Sequence, residues 1–211
     1  MKLLAIADVH GNSRVIQWLT ELGRYADLII VAGDVSDWGN ELFFKNFYEV
    51  ISQKGLKTFF IPGNHDPDHE LNLRNILNLH SNVTNYNNMI FCGLGGSNPT
   101  PFNTPFELDD FRAEELFSRL PDKVDVFVSH ASPYNTRCDR SYKGEHIGSK
   151  PLRRYIEKTQ PKIVICGHIH EARSTDMLEN TLVVNPGPAM NGFYVTISLN
   201  GKPKVDLLQV E

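Results

Sequence analysis

The chain has 211 residues, of which 41% are apolar and 22% are charged. These values are close to the globular average, so a disordered or fibrous protein is excluded, and the length suits one large domain or two small ones. The net charge of −4 argues against a protein that binds nucleic acid or membrane surfaces mainly through charge.

Localisation can also be read from simple features. The apolar runs are too short to cross a bilayer, and Asp8 interrupts the first one before the apolar core of a signal peptide could form. The three cysteines, Cys92, Cys138 and Cys166, are an odd number without a CxxC motif. Reduced thiols are the simplest interpretation. We therefore expect a soluble cytoplasmic protein without membrane contact.

The first half of the chain alternates short apolar runs with amphipathic segments. Strands are predicted at 3–7, 28–32 and 58–61, and helices at 13–23, at 41–53 and near 71–79. Ser13 is the expected cap of the first helix. This alternation is typical of a parallel sheet with right-handed crossovers.

The second half is more mixed. Strands are predicted at 90–93, 124–129 and 163–166, helices at 107–119 and 152–159, and closing strands at 172–177, 181–184, 193–199 and 205–210. The turns between the closing strands favour antiparallel hairpins. The stretches 93–105 and 131–150 are expected to be long surface loops, which often carry function. Residues 1–211 are predicted to form a single α/β domain.

A compact polar cluster follows each of five predicted strands. In chain order these are DVHG from Asp8, GD ending at Asp34, GNHD around Asn64, SH ending at His130 and GHIH ending at His170. Ligands of open α/β sheets bind beyond the carboxyl ends of the strands, so the clusters are expected to meet. Carboxylates, an amide and imidazoles without cysteine argue against a structural zinc site. They favour a hydrolytic metal centre that attracts an anionic substrate.

The motif order DxH, GD, GNHD, H and GHxH resembles the calcineurin-like metallophosphoesterases, above all their small prokaryotic members, from Asp8 to His170. The resemblance implies a four-layer α/β/β/α sandwich, with two mixed sheets flanked by helices. It also implies two divalent metal ions, with manganese expected and iron, zinc, cobalt or nickel as alternatives. The implied reaction is hydrolysis of a phosphate ester by direct attack of metal-bound hydroxide, with a diester favoured over a monoester.

The resemblance assigns roles residue by residue. One metal would be held by Asp8, His10, Asp34 and His170, and the other by Asp34, Asn64, His130 and His168, with Asp34 bridging. His65 would be the general acid that protonates the leaving oxygen. Asp37, at the spacing of the GDxxD motif, would orient His65. Asp66 would support either the turn or the ligand residues from outside the donor set.

One departure from the family pattern concerns Trp38 and Gly39. Protein Ser/Thr phosphatases of similar pattern have Arg-Gly there, and the arginine grips the phosphoryl group. Its absence argues against a phosphoprotein substrate and favours a smaller ester or a diester. His146 and Arg137 in the 131–150 loop are candidate substrate-binding residues, and His69 is a weaker one.

Two further questions stay open at this level. Phe102 and Phe106 could form an apolar rim that stacks on a base or aryl group, or they could pin their loop to the body. The chain could also be a non-catalytic, metal-binding interaction module on the same fold, or a phosphomonoesterase. The expected partner is a small phosphate ester, and no stable nucleic-acid complex is expected.

Overall fold

The computed structural model describes residues 1–67 and 71–210. Within them, twelve strands form two six-stranded sheets. The strands are β1 (Lys2–Ile6), β2 (Leu28–Ala32), β3 (Thr58–Ile61), β4 (Ile76–Asn78), β5 (Val83–Tyr86), β6 (Met89–Leu94), β7 (Val126–Ser129), β8 (Ile163–Ile165), β9 (Ser174–Leu178), β10 (Thr181–Asn185), β11 (Phe193–Ser198) and β12 (Lys204–Gln209). The α-helices of this part of the chain are α1 (Arg14–Leu22), α2 (Glu41–Gln53), α3 (Asp110–Ser118) and α4 (Lys150–Thr159).

Both sheets are mixed, with a parallel centre. The first has the order β12-β11-β1-β2-β3-β4, in which β1 to β4 run parallel and the last two strands add as an antiparallel hairpin. The second has the order β5-β6-β7-β8-β10-β9, in which β5 and β9 are antiparallel edges. The parallel strands bring their carboxyl ends, and the loops that follow them, to shared edges.

Alternation along the strands builds three apolar layers. Leu3 and Ala5 of β1 pack with Val126 and Val128 of β7 between the two sheets. Leu4, on the opposite face of β1, packs in the cluster that contains the apolar residues of α1 and α2. The outer face of the second sheet packs likewise against α3 and α4. The predicted four-layer α/β/β/α sandwich is therefore confirmed.

The helix predicted near 71–79 is wrong, because this segment contains β4 instead. Ile76 pairs with Thr58 in the parallel register of β3, and Leu79 N donates to Phe60 O at 2.7 Å. In a helix, Ile76 and Leu79 would share a face. Here Ile76 packs toward α1 and α2, whereas Leu79 packs between the sheets. Pairing with the open edge of β3 gives the backbone N–H and C=O groups of this segment hydrogen-bond partners and buries both residues.

Two smaller differences concern local turns. Strand β5 was not predicted. It pairs with β6 across Asn87 and Asn88, and both residues have positive φ, at 55° and 60°, as a tight hairpin turn requires. At the start of α1, the expected Ser13 cap is replaced by Asn12, whose Oδ1 accepts the N–H of Arg14 at 3.1 Å. No helix in the described part of the chain has the length and hydrophobicity that a bilayer crossing requires.

Candidate metal centre

The loops that follow β1, β2, β3, β7 and β8 lie side by side and hydrogen bond to one another. Val9 N donates to Asp34 O at 2.8 Å, and His65 N donates to Asp34 Oδ1 at 2.8 Å. Gly167 N donates to His130 O at 3.0 Å. All five polar clusters of the sequence therefore meet at one place, as their position after parallel strands predicts.

Several of the clustered polar residues have a strained backbone. Asp8, His10, Asp34 and His168 all lie in the left-handed region, with φ of 59°, 46°, 52° and 70°. Non-glycine residues rarely adopt this conformation, and each instance costs of order 1 kcal/mol or more. Packing of the surrounding loops maintains this conformation, which directs the four polar side chains toward one another.

Two glycines let the loops approach closely. A Cβ at Gly63 would overlap the carboxylate of Asp34. Gly33 has a φ of 88°, and a Cβ there would lie 2.5 Å from Nδ1 of His130. Any side chain at either position would push the neighbouring loops apart. The close contact of Gly63 with Asp34, and of Gly33 with His130, therefore requires glycine.

The first group of converging side chains is Asp8, His10 and His170, whose ligand atoms lie within 4.8 Å of one another. Nε2 of His10 is 3.2 Å from Nε2 of His170, which is 3.5 Å from Oδ1 of Asp8. Asp8 is fully buried, and the two imidazoles are partly buried.

The second group is Asp34, His130 and His168, again within 4.8 Å. Nε2 of His130 lies 3.2 Å from Oδ2 of Asp34 and 2.9 Å from Oδ1 of Asn64. Oδ2 of Asp34 also lies 3.7 Å from Nε2 of His10, so Asp34 stands between the two groups. Asn64 joins the second group through its carbonyl oxygen.

Both groups fit divalent metal ions by the chemistry of their donors. Nδ1 of His130 donates to the carbonyl of Ala32 at 2.8 Å, which leaves Nε2 as the nitrogen that faces the carboxylate. Nδ1 of His10 donates to Oδ1 of Asp37 at 2.6 Å and leaves Nε2 free in the same way. Such outer partners fix the tautomer of metal-binding histidines. Nitrogen and oxygen donors without sulfur suit manganese, iron or zinc in a catalytic site.

The charges of the buried groups are strongly coupled. Burial alone would lower the pKa of His130, but the carboxylates of Asp34 and Asp8 raise it to about 9. Despite their burial, both carboxyls have a lowered pKa because of the neighbouring histidines. Burial and the charge of His130 lower the pKa of His168 to about 4. Without metal, an imidazolium at His130 therefore offsets part of the charge of the two carboxylates.

Asp37 lies close to both His10 and His65. Its Oδ1 accepts a hydrogen bond from Nδ1 of His10 at 2.6 Å, and ligand atoms of Asp37, His10 and His65 lie within 4.8 Å of one another. The role of Asp37 in orienting His65 stays a prediction. The ring of His65 lies edge-on between His10 and Trp38, with both ring-centroid distances at 5.3 Å. Trp38 thus occupies one side of His65, and the Asp37 carboxylate holds His10 in place for the first group.

His65 lies on the wall of the site. Its backbone is tied to Asp34, and its Nδ1 is buried without a hydrogen-bond partner among the described residues. Burial lowers the pKa of the imidazole. A lower pKa makes the protonated ring a stronger proton donor, although a smaller fraction is protonated at neutral pH.

The site opens into a cavity of about 500 Å³. His65 lines one part of it together with five donor residues, His10, Asp34, Asn64, His168 and His170, whereas Asp8 and His130 lie buried behind them. The rest of the cavity is lined by residues 98–102 together with Ile147, Ile169 and Glu171. A cavity of this size is suited to a small molecule.

The candidate substrate residues of the 131–150 loop have structural contacts. Nδ1 of His146 pairs with Oδ1 of the buried Asp139 at 2.6 Å. The backbone N–H of Arg137 donates to Asp176. Neither His146 nor Arg137 is among the described residues that line the cavity, so their substrate-binding role stays a prediction. His69 lies outside the described residues.

Asp66 supports the loops from behind the donor groups. It is fully buried and accepts hydrogen bonds from the backbone N–H groups of Val35 (3.2 Å), Ser36 (2.7 Å) and Gly63 (2.9 Å). Burial raises its pKa to about 6, and the nearby Asp34 charge adds to the rise. Asp66 thereby joins the loops after β2 and β3, as the sequence predicts for the turn.

Replacing Asp66 by alanine is expected to destabilise the fold by roughly 3 kcal/mol or more, because three backbone donors lose their buried partner. Urea unfolding of the metal-free protein measures this loss. Asp122→Ala is the control, since Asp122 is exposed and pairs with Lys158 on the surface; such exposed pairs contribute little. Equal midpoints for Asp66→Ala and Asp122→Ala would show that Asp66 does not hold the loops.

The chain matches a known protein family over the part that carries these donors. A family model described as calcineurin-like phosphoesterase matches residues 1–172, which include both groups of donors. The protein MJ1162 of Methanocaldococcus jannaschii is 36% identical over 212 residues, with 93% of this chain and 92% of that protein covered.

Two further similarities differ in kind. A protein of Nostoc sp. named as a 3′,5′-cyclic-nucleotide phosphodiesterase is 26% identical, over 81% of this chain and 65% of its own length. The crystal structure of TT1561 from Thermus thermophilus superposes with a TM-score of 0.81 at 20% identity, covering 100% of this chain and 99% of that one. The structural likeness concerns the fold alone.

Proposed function

Because the chain belongs to the calcineurin-like phosphoesterase family, we propose that it is a metal-dependent hydrolase of small phosphodiesters. The observation that carries this proposal is the convergence of two nitrogen- and oxygen-donor groups on Asp34, at the base of a cavity with His65 on its wall. Buried charges with perturbed pKa in a cavity are typical of catalytic sites.

We assign the donors as follows. Asp8, His10 and His170 would hold one divalent ion and His130, His168 and Asn64 the other, with Asp34 shared between them. Bound ions would polarise the phosphoryl oxygens and lower the pKa of a water molecule. Manganese is our choice among the metals that this donor set suits.

The chain's own groups would position the ester and move a proton. His65 faces the cavity beside Asp34 and would donate a proton to the leaving oxygen as the ester bond breaks. The Asp37 carboxylate would hold His10 so that Nε2 stays directed at the donor group. Retention of His65 together with a full donor set argues against a non-catalytic interaction module.

A diester is favoured over a monoester by the charge of the cavity. Among the described residues, its lining includes no lysine or arginine, and it includes Glu171. A singly charged diester places less negative charge beside this wall than a doubly charged monoester. The name of the Nostoc relative agrees with this choice. We propose a small phosphodiester as the partner, without a stable nucleic-acid complex.

The test is to compare initial rates on bis-p-nitrophenyl phosphate and p-nitrophenyl phosphate. Chelated protein and protein reloaded with manganese are assayed side by side. We expect hydrolysis only after reloading and a higher kcat/KM for the diester. A higher value for the monoester would reverse the substrate class, and equal rates before and after reloading would remove the metal dependence.

Metal binding is expected to release protons. His130 is protonated near pH 7 because the carboxylates raise its pKa to about 9 in the metal-free protein, whereas a histidine ligand must be neutral. The affinity for manganese should therefore increase with pH, by up to about tenfold per pH unit between about 7 and 9.

Calorimetric titration near pH 7 in buffers of different ionisation enthalpy measures this release. We expect the binding enthalpy near pH 7 to change with the buffer, and the share of released protons that comes from His130 to decrease as the pH rises through about 9. A binding enthalpy near pH 7 that is the same in every buffer would contradict the protonation of His130.

A further inference from the structure

The two phenylalanines of the loop between β6 and α3 have different surroundings. Phe106 is partly buried, and its ring lies 5.3 Å from that of His80. Its backbone N–H donates to Asn64 O at 3.0 Å. Phe102 lines the cavity, yet 71% of its surface is exposed. Phe106 therefore pins the loop, whereas the ring of Phe102 is free to contact a ligand.

The segment that carries Phe102 is anchored to the metal centre. Glu107 accepts hydrogen bonds from the hydroxyls of Thr100 and Thr104, both at 2.6 Å. Thr104 Oγ1 in turn accepts a hydrogen bond from Nδ2 of Asn64 at 2.9 Å, and the N–H of Phe102 donates to Thr100 at 3.2 Å. The amide that directs its oxygen into the second group is thus linked to the backbone of Phe102.

Several apolar side chains share the cavity lining with Phe102. Pro99, Pro101 and Ile147 are among them. Nδ2 of Asn98 donates to the carbonyl of Ile147 at 3.2 Å, which connects this segment to the 131–150 loop. Phe102 therefore offers a flat apolar face to a ligand. Because its segment is held by hydrogen bonds and contains two prolines, little conformational entropy is lost when a ligand binds there.

We propose that Phe102, with Pro101 and Ile147, is a specificity-determining wall that binds a planar aromatic group on the ester side that does not leave. The substrate class is a phosphodiester that carries an aryl ring or a nucleobase. This inference rests on the proposed function, since it places the second ester group of a diester against the part of the cavity lining that carries no donor. Stacking on an aromatic side chain is tolerant of ring type, so the wall selects aromatic groups as a class.

The experiment uses two diesters that share one leaving group. Bis-p-nitrophenyl phosphate carries a second aryl group, whereas methyl p-nitrophenyl phosphate carries a methyl group there. In manganese-loaded protein, Phe102→Leu is expected to lower kcat/KM for the diaryl ester by about tenfold, mainly through KM. The methyl ester should change less than about twofold. Phe102→Tyr, which keeps the ring, should retain the wild-type ratio.

Phe111→Ala is the matched control, because Phe111 is 80% exposed on α3 and does not line the cavity; it should leave both esters unchanged. An equal loss on both esters in Phe102→Leu would overturn the aromatic wall and show that Phe102 only shapes the loop. Absence of hydrolysis of either ester by loaded wild-type protein would overturn the proposed function itself. The two failures are therefore distinguishable.

Discussion

Replacing His65 by alanine is expected to lower kcat by about 10²–10⁴-fold for diesters with a poor leaving group, such as an unsubstituted phenyl group, while the bound metal stays unchanged. His65 lies on the cavity wall, outside the two three-residue donor groups around Asp34, and its ring lies close to Asp37 and His10 in a third cluster of ligand atoms. Its loss would remove the proton donor and leave the binding of metal intact.

Esters with different leaving groups distinguish proton donation by His65 from a positioning role. p-Nitrophenolate departs readily without a proton, so the same variant should lose much less activity on bis-p-nitrophenyl phosphate than on the phenyl ester. Metal content, measured on the same samples, excludes a damaged site. An equal loss on both esters would contradict proton donation by His65 and point instead to a positioning role.

Replacing Asp34 by asparagine is expected to have the largest effect on the metals. Its two carboxylate oxygens face His130 at 3.2 Å, His10 at 3.7 Å and the backbone of His65 at 2.8 Å, so one charge serves both groups. The amide keeps the shape and removes the charge. We expect fewer than two manganese ions per chain and a loss of more than about 10²-fold in kcat/KM. This exceeds the loss that follows when a residue that only hydrogen bonds to a metal ligand is replaced.

Asp37→Asn is the comparison for this variant. Asp37 is exposed, lies outside the two groups around Asp34 and accepts a hydrogen bond from Nδ1 of His10, so its loss should cost about 10–100-fold in activity or metal affinity. Metal content and hydrolysis rates, measured on both variants, show which of the two carboxylates contributes more to metal binding and activity. Full metal content in Asp34→Asn would show that Asp34 is not shared between the two groups.

The central part of the fold could be predicted because it depends on local pattern. Buried apolar runs such as 28–32 and 58–61 are bounded by glycine and polar residues and coincide with β2 and β3. The amphipathic segment of α2 was predicted with the observed bounds, since one face of Glu41–Gln53 is apolar.

The elements that were missed depend on partners distant in the chain. The spacing of apolar residues around Ile76 suits a helix, and only the open edge of β3 makes this segment a strand. The exposed β5 has little apolar pattern, although Asn87 and Asn88 carry the signal of a tight turn. Strand pairing overrides local propensity in both cases.

The candidate site shows the same division. The motifs identified the side chains that converge around Asp34, because parallel strands bring their following loops together. The contact of Asp37 with His10 and the exposure of Phe102 could not be predicted from spacing. Both depend on how side chains orient once the loops are packed, and no periodicity encodes that.

The most direct test of the account is a titration of chelated wild-type protein with manganese, in which bound metal and the rate on bis-p-nitrophenyl phosphate are measured on the same samples. We expect binding to reach two ions per chain, one for each donor group, and the rate to rise steeply only as the second ion binds. Two bound ions without hydrolysis, or full activity with none, would contradict a phosphodiesterase centred on Asp34.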